Sequence, residues 1–240
     1  MCALILAGCG GSPARVAGDR GPSASASVAA NPPGATSAPE PVGGDGERVV
    51  AGESPGTPVI APPPPEEPRP ALLSTCEERR SIVIHKAERT LELRCGDALA
   101  ARFAASLGNA PEGAKQHEGD GRTPEGDYFI SMKYPSQYHR SLQLAYPNVA
   151  DADAGLAKGT IKATEHAKIV QAYATCREPP QTTALGSLIQ IHGGGGGPDV
   201  GDWTLGCVAV DNDEIEVVFA FQKPGCDAQN RPNTLVRILP

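Results

Sequence analysis

Aromatic side chains are scarce in this chain of 240 residues: they make up 4%, with one tryptophan, Trp203. Length and composition permit one domain, or two small ones. No apolar run approaches the ~20 residues that cross a bilayer as a helix. No basic run occurs and the net charge is −7, which argues against nucleic acid as a partner. CxxC and HxxxH spacings are absent, so zinc lacks a ligand pattern. No GK[ST] follows Gly193 to Gly197, so that glycine run is not a phosphate loop but a flexible loop beside a cleft. Neither a metal nor a cofactor is expected, and there is no internal repeat.

What is present is chemically more specific. The stretch Ile191 to Val210, IHGGGGGPDVGDWTLGCVAV, joins His192 to Cys207 through glycines. A thiol attacks as thiolate, and a positioned imidazole is the usual means of generating it. Gly206 lets backbone approach a substrate closely. The amides of Gly206 and Cys207 could face a developing oxyanion. Taken alone, the pair also reads as a buried strand cysteine beside an unrelated histidine.

At the other end, Leu6-Ala7-Gly8-Cys9 resembles the lipobox of bacterial lipoproteins. There cleavage falls before the cysteine, which then carries lipid. No Lys or Arg precedes Cys9 and only eight residues do, short for an export signal. An ordinary small-residue signal end is the alternative. The resemblance implies a signal segment over 1–9 and a lipid on Cys9. It also implies a periplasmic domain anchored to the outer membrane.

Residues 10–75 are rich in Pro, Gly, Ala and Ser and hold 14 of the 24 prolines. Such a composition buries too little apolar surface to offset its ordering entropy. It reads as a disordered tether spanning roughly 45 Å as a coil, or roughly 200 Å as polyproline II.

The seven cysteines partition accordingly. Cys2 and Cys9 belong to the export segment and Cys207 is the nucleophile candidate. Cys76, Cys95, Cys176 and Cys226 remain, an even set in a chain that reads as exported to an oxidising compartment. Cys76 and Cys95 flank a hairpin, SIVIHKAERTLELR, whose closed end would bring them together; that leaves Cys176 with Cys226. Four cysteines allow three connectivities, so spacing does not fix the pairing.

From Cys76 to Pro240 the pattern is mostly β, with a few short helices. Strands are expected at Ile82 to Ile84, Leu91 to Leu93, Phe103 to Leu107, Tyr128 to Met132, Leu188 to Ile191, Val208 to Val210 and Leu235 to Leu239. Thr160 to Thr175 has helical character, ended by Pro179-Pro180. Asn212 is expected to cap a second helix, DEIEVVFAF. One full core fits in 76–240.

Four segments in order resemble the L,D-transpeptidase catalytic domain, also called the YkuD domain. They are LGNAPEGAKQHEGDGRTPEGDYFI, SLQLAYPN with Asp151, PPQTTALGSLIQIHGGG, and DWTLGCVAV. The resemblance covers roughly residues 80–240. It implies a β-sandwich or barrel fold with the cysteine at the end of a cleft, and a peptidoglycan substrate. In such enzymes the cysteine attacks the bond between the third stem residue and a terminal D-alanine. An amine of a second stem then resolves the thioester. Carried over, Cys207 is the nucleophile and His192 the general base. The Gly193 carbonyl orients the imidazole, and Gly206 and Cys207 supply the oxyanion amides. Many members read SHGC with an arginine two residues on; here Leu205 and Ala209 stand at those places. The direction of the reaction is therefore left open between transpeptidation and hydrolysis.

Other residues carry two readings each. Trp203 packs under the catalytic loop or stacks on glycan. Thr204 donates near the thiolate or holds a turn. His139 contacts substrate or sits in the surface or core. Arg122 holds a stem carboxylate or braces its loop. Asp199 and Asp202 shape the glycine loop or are merely solvated. His85, His117 and His166 look structural. Three functions compete: an L,D-transpeptidase, a hydrolase or amidase of the same fold, and a catalytically silent wall-binding lipoprotein.

Overall fold

The computed structural model describes residues 66–240. The Cys9 lipobox and the tether up to residue 65 lie outside the described residues. Eight strands form one sheet: β1 (Arg80–His85), β2 (Thr90–Cys95), β3 (Ala98–Ala104), β4 (Gly126–Ser136), β5 (His139–Leu144), β6 (Gln190–His192), β7 (Val208–Ala209) and β8 (Thr234–Leu239). Their order is β3-β2-β1-β8-β4-β5-β6-β7. β8 runs parallel to β1 and β7 parallel to β6; the other pairs are antiparallel.

The sheet curls because β4 serves two neighbours. Gly126 to Phe129 pair with β8, and the rest of the strand with β5, with a register shift between Ile130 and Met132. A bulge of this kind bends a strand and increases its twist. The curl closes where the chain leaving β3 meets the far edge. Ser106 and Ala209 exchange two backbone hydrogen bonds, each 2.8 Å.

Apolar alternation places Ile82, Ile84, Leu91, Leu93, Leu142 and Leu144 inside, all fully buried. Truncating such a leucine to alanine costs about 2–5 kcal/mol. Four helices flank the sheet: α1 (Leu72–Thr75), α2 (Val149–Ala157), α3 (Ala163–Ala174) and α4 (Asn212–Phe221). α4 packs on β5 and buries Ile215, Val218 and Phe221. Among the described residues no helix is long and apolar enough to cross a membrane.

Several expectations shift. The strand expected at Phe103 to Leu107 lies earlier, at Ala98–Ala104. The strand expected from Leu188 starts at Gln190, because Leu188 adopts a left-handed conformation, φ 55°, and donates its N–H to Gln181 Oε1. The cap of α4 is Asp211 rather than Asn212: Glu214 accepts the Asp211 N–H at 3.1 Å. α2 has no counterpart among the helices expected from the sequence; Asn148 and Asp151 bond each other's backbone N–H at its start, at 2.8 and 2.9 Å. The boundary at Cys76 also moves. Glu66 accepts the Leu99 N–H at 2.8 Å and pairs with Arg94, and Leu72 and Leu73 pack on the core, so 66–75 adheres to the domain.

Cys76 bonds Cys95 and Cys176 bonds Cys226, with Cα separations of 5.7 and 6.1 Å. The first pair meets at the open end of the β1–β2 hairpin, where Arg80 faces Cys95, not at its closed end.

Candidate active site

His192 ends β6, and Cys207 immediately precedes β7. In the parallel β6–β7 pair, Ile191 faces Val208 and His192 faces Ala209. Extended by one residue, that register sets Cys207 beside Gln190. Side chains two apart on a strand share a face. The thiol and the imidazole are therefore diagonal neighbours on one face, and both line a cleft of about 710 Å³ together with Lys115, Tyr138, Leu188 and Trp203.

The imidazole is held on three sides. Nδ1 lies 2.6 Å from the Gly193 carbonyl oxygen. A carbonyl only accepts, so Nδ1 carries the hydrogen and Nε2 is left basic. Tyr138 stacks on the ring at 4.5 Å between centroids, and Trp203 meets it edge-on at 5.6 Å. Trp203 is itself fixed by its Nε1 donating to the Gly195 carbonyl at 3.2 Å. Burial pushes the His192 pKa below its ordinary value, against the opposing hydrogen bond to Gly193. Gly193 has no room for a side chain: a Cβ there would lie 2.6 Å from Asn212 Oδ1 and 2.7 Å from the Tyr138 carbonyl.

Cys207 is the one free cysteine among the described residues and is half-buried. Its Sγ hydrogen-bonds the Leu188 carbonyl at 3.6 Å. Burial pushes the thiol pKa up, opposed by a backbone hydrogen bond from Gln190 and by the Lys115 charge. With the histidine pushed down and the thiol up, the resting pair is neutral thiol beside neutral imidazole.

The approach to the cysteine is a tight turn. Thr204 Oγ1 accepts the Gly206 N–H at 3.1 Å and donates to the Cys207 carbonyl at 2.8 Å. Thr204 thus holds the turn, and the Gly206 amide is occupied rather than open to an oxyanion. The Cys207 amide donates to no group among the described residues and is the N–H available there.

Two expected substrate contacts point elsewhere. His139 has a left-handed backbone, φ 71°, which turns its ring outward to Glu216 at 2.7 Å, away from the cleft lining. Arg122 lines a neighbouring depression, and its part in the site is its carbonyl, packed against Gly206. Asp202 anchors the loop: one oxygen accepts the Leu107 N–H at 2.8 Å and the other takes Arg89 at 2.9 and 3.0 Å. Asp199 is exposed. Sequence reasoning missed Lys115, Tyr138 and Leu188. Tyr138 adjoins His139, so the same segment reaches the cleft through the neighbouring residue. No group of three or more His, Cys, Asp or Glu among the described residues is placed to hold a metal.

No curated protein matches the chain. Among solved structures it is similar to Bd1075 of Bdellovibrio bacteriovorus, at 22% identity and TM-score 0.41 over 68% of this chain and 48% of that one. It is similar to the helical cell shape determining protein Pgp2 of Campylobacter jejuni, at 18% identity and TM-score 0.41 over 70% and 54%. It also resembles an L,D-transpeptidase of Xylanimonas cellulosilytica, at 16% identity and TM-score 0.36 over 67% and 60%. The chain thus spans only about half the length of the structures it matches. The model of the YkuD family, the L,D-transpeptidase catalytic domain, matches residues 79–238, and the chain belongs to that family.

Proposed function

We propose that this chain is an L,D-transpeptidase of the bacterial envelope that acts on peptidoglycan stem peptides through a thioester on Cys207. The observation that carries the reading is the placement of a free thiol and a tautomer-fixed imidazole on one face of an open cleft. His192 Nε2 takes the thiol proton as sulfur attacks the carbonyl carbon before the terminal D-alanine. The Cys207 amide meets the oxyanion. The imidazolium returns its proton to the leaving amine, and the thioester remains. An amine of a second stem, or of a protein to be attached to the wall, then resolves it. A lipid on Cys9 and the tether would hold the domain on the periplasmic side of the outer membrane, within reach of the wall.

The test is incubation of the purified chain with tetrapeptide muropeptides, read by mass. A cross-linked dimer that disappears in Cys207→Ala supports the proposal. Trimmed monomer alone means that water resolves the thioester and the enzyme is a hydrolase. No change in any muropeptide leaves the silent wall-binding role.

A further inference from the structure

We propose that Lys115 is the cation that receives a substrate carboxylate in the Cys207 cleft, most directly the free carboxylate next to the scissile bond. The proposal rests on the acyl-transfer reading for the identity of the substrate, but its geometry stands independently.

Lys115 is buried, with 3% of its side chain exposed, yet it lines the same cleft as Cys207 and His192. A buried ammonium needs a partner, and Asp120 supplies one at 2.8 Å. The two members of this pair face different spaces. Lys115 lines the Cys207 cleft and its charge acts on the thiol there, whereas Asp120 lines the adjoining depression with Arg122 and His117. The pair is therefore a dipole with its positive end toward the thiol.

Asp120 is also largely spent on backbone. Its oxygens accept N–H groups of Gln116 at 2.6 Å, His117 at 3.1 Å and Arg122 at 3.1 Å. Burial pushes its pKa up, but the Gln116 N–H, Lys115 and the further amides outweigh this and hold it at about 2. On the other side, an ammonium has three donors. Lys115 Nζ uses two, on Asp120 and on the His117 carbonyl at 3.0 Å; the third has no partner among the described residues. Glu118, the carboxylate on the lining, is exposed and so solvated and screened.

The ammonium is also held in place. The loop carrying it is tied to the 183–188 loop by the Glu118 N–H on the Ala184 carbonyl at 3.0 Å. Its Cε passes so close to Gly186 that a Cβ there would lie 3.1 Å away. That second loop ends at Leu188, whose carbonyl holds Cys207 Sγ. Cation and nucleophile are thus fixed relative to each other, as recognition of a group close to the reacting carbon requires.

The test uses two thiol probes, bromoacetyl-D-alanine and its carboxamide, so it does not depend on turnover. Alkylation of Cys207 is followed by intact mass, and each rate is divided by that of free cysteine. The wild type should favour the carboxylate probe roughly tenfold, as for a charge-assisted hydrogen bond. The preference should shrink as salt is raised. Lys115→Arg should keep it; Lys115→Met should lose it, the ratio of the two probe rates being compared within each variant because removing the Lys115 charge also raises the thiol pKa and slows both alkylations. If Lys115→Met does not fold, the wild-type preference and its salt dependence decide. Equal normalised rates in the wild type, or a preference that survives in Lys115→Met, would overturn the assignment. Muropeptide turnover without probe preference sinks Lys115 alone. Probe preference without turnover sinks the transpeptidase reading and leaves Lys115 in place.

Discussion

The Thr204 hydroxyl accepts the Gly206 amide at 3.1 Å, and both residues are buried. One oxygen therefore fixes the turn that presents Cys207. Thr204→Val removes the acceptor and strands a buried N–H, at a cost of about 1–3 kcal/mol. A lower melting temperature and slower acylation of Cys207 by a stem peptide are expected, both restored in Thr204→Ser. A valine variant with wild-type melting and rate would show that the hydroxyl is dispensable.

Gly206 answers a separate demand. Its φ is 127°, and a Cβ there would lie 2.6 Å from the Arg122 carbonyl oxygen. Gly206→Ala combines a backbone conformation costing about 1–3 kcal/mol with a clash against main chain. The turn must shift and carry Cys207 with it. Acylation should fall at least roughly tenfold, because a misplacement of about 1 Å can cost a hundredfold. Full activity in the alanine variant would mean that the turn is plastic.

The elements legible in the sequence are those whose burial follows their own period. Ile82 and Ile84, and Leu91 and Leu93, alternate as strands do, and DEIEVVFAF carries its acidic first turn. α2, VADADAGLA, has too little apolar contrast to announce itself, and its one signal was the Asn148 and Asp151 spacing. His192 and Cys207 were nameable because motif order survives without a fold. Lys115 was not, since its role comes from burial and from an Asp120 partner placed by a loop. Tyr138 and His139 differ only in which way a left-handed residue turns the chain, and periodicity carries no such information.

The two disulfides bridge sequence separations of 19 and 50 residues. Loop-closure entropy assigns them about 3 and 4 kcal/mol respectively. Reduction should therefore lower the melting temperature, and losing Cys176–Cys226 should lower it more. Without reduction, alkylation and peptide mapping of residues 66–240 should label Cys207 alone. Recovery of Cys207 within a bridge in active protein would defeat both the pairing and the mechanism.

The pH profile follows from the neutral resting pair. Burial lowers the His192 pKa, so the base is already deprotonated at neutrality and acylation should rise with pH only below about 6.5, then level off. The thiol is shifted the other way, so reaction of the free enzyme with a small neutral alkylator should climb only in the alkaline range. Turnover and alkylation should thus have separate limbs. His192→Ala should lose roughly a hundredfold or more in acylation, the scale of general base catalysis, and its remaining rate should follow the alkaline limb. Stability gives an independent check on the same shift. The unfolded chain takes up a proton near pH 6.5 that the folded histidine resists, so stability is full above that pH and declines as pH falls through it. That decline should be smaller in His192→Ala. If the variant keeps the wild-type acid limb in turnover, another group serves as the base of Cys207.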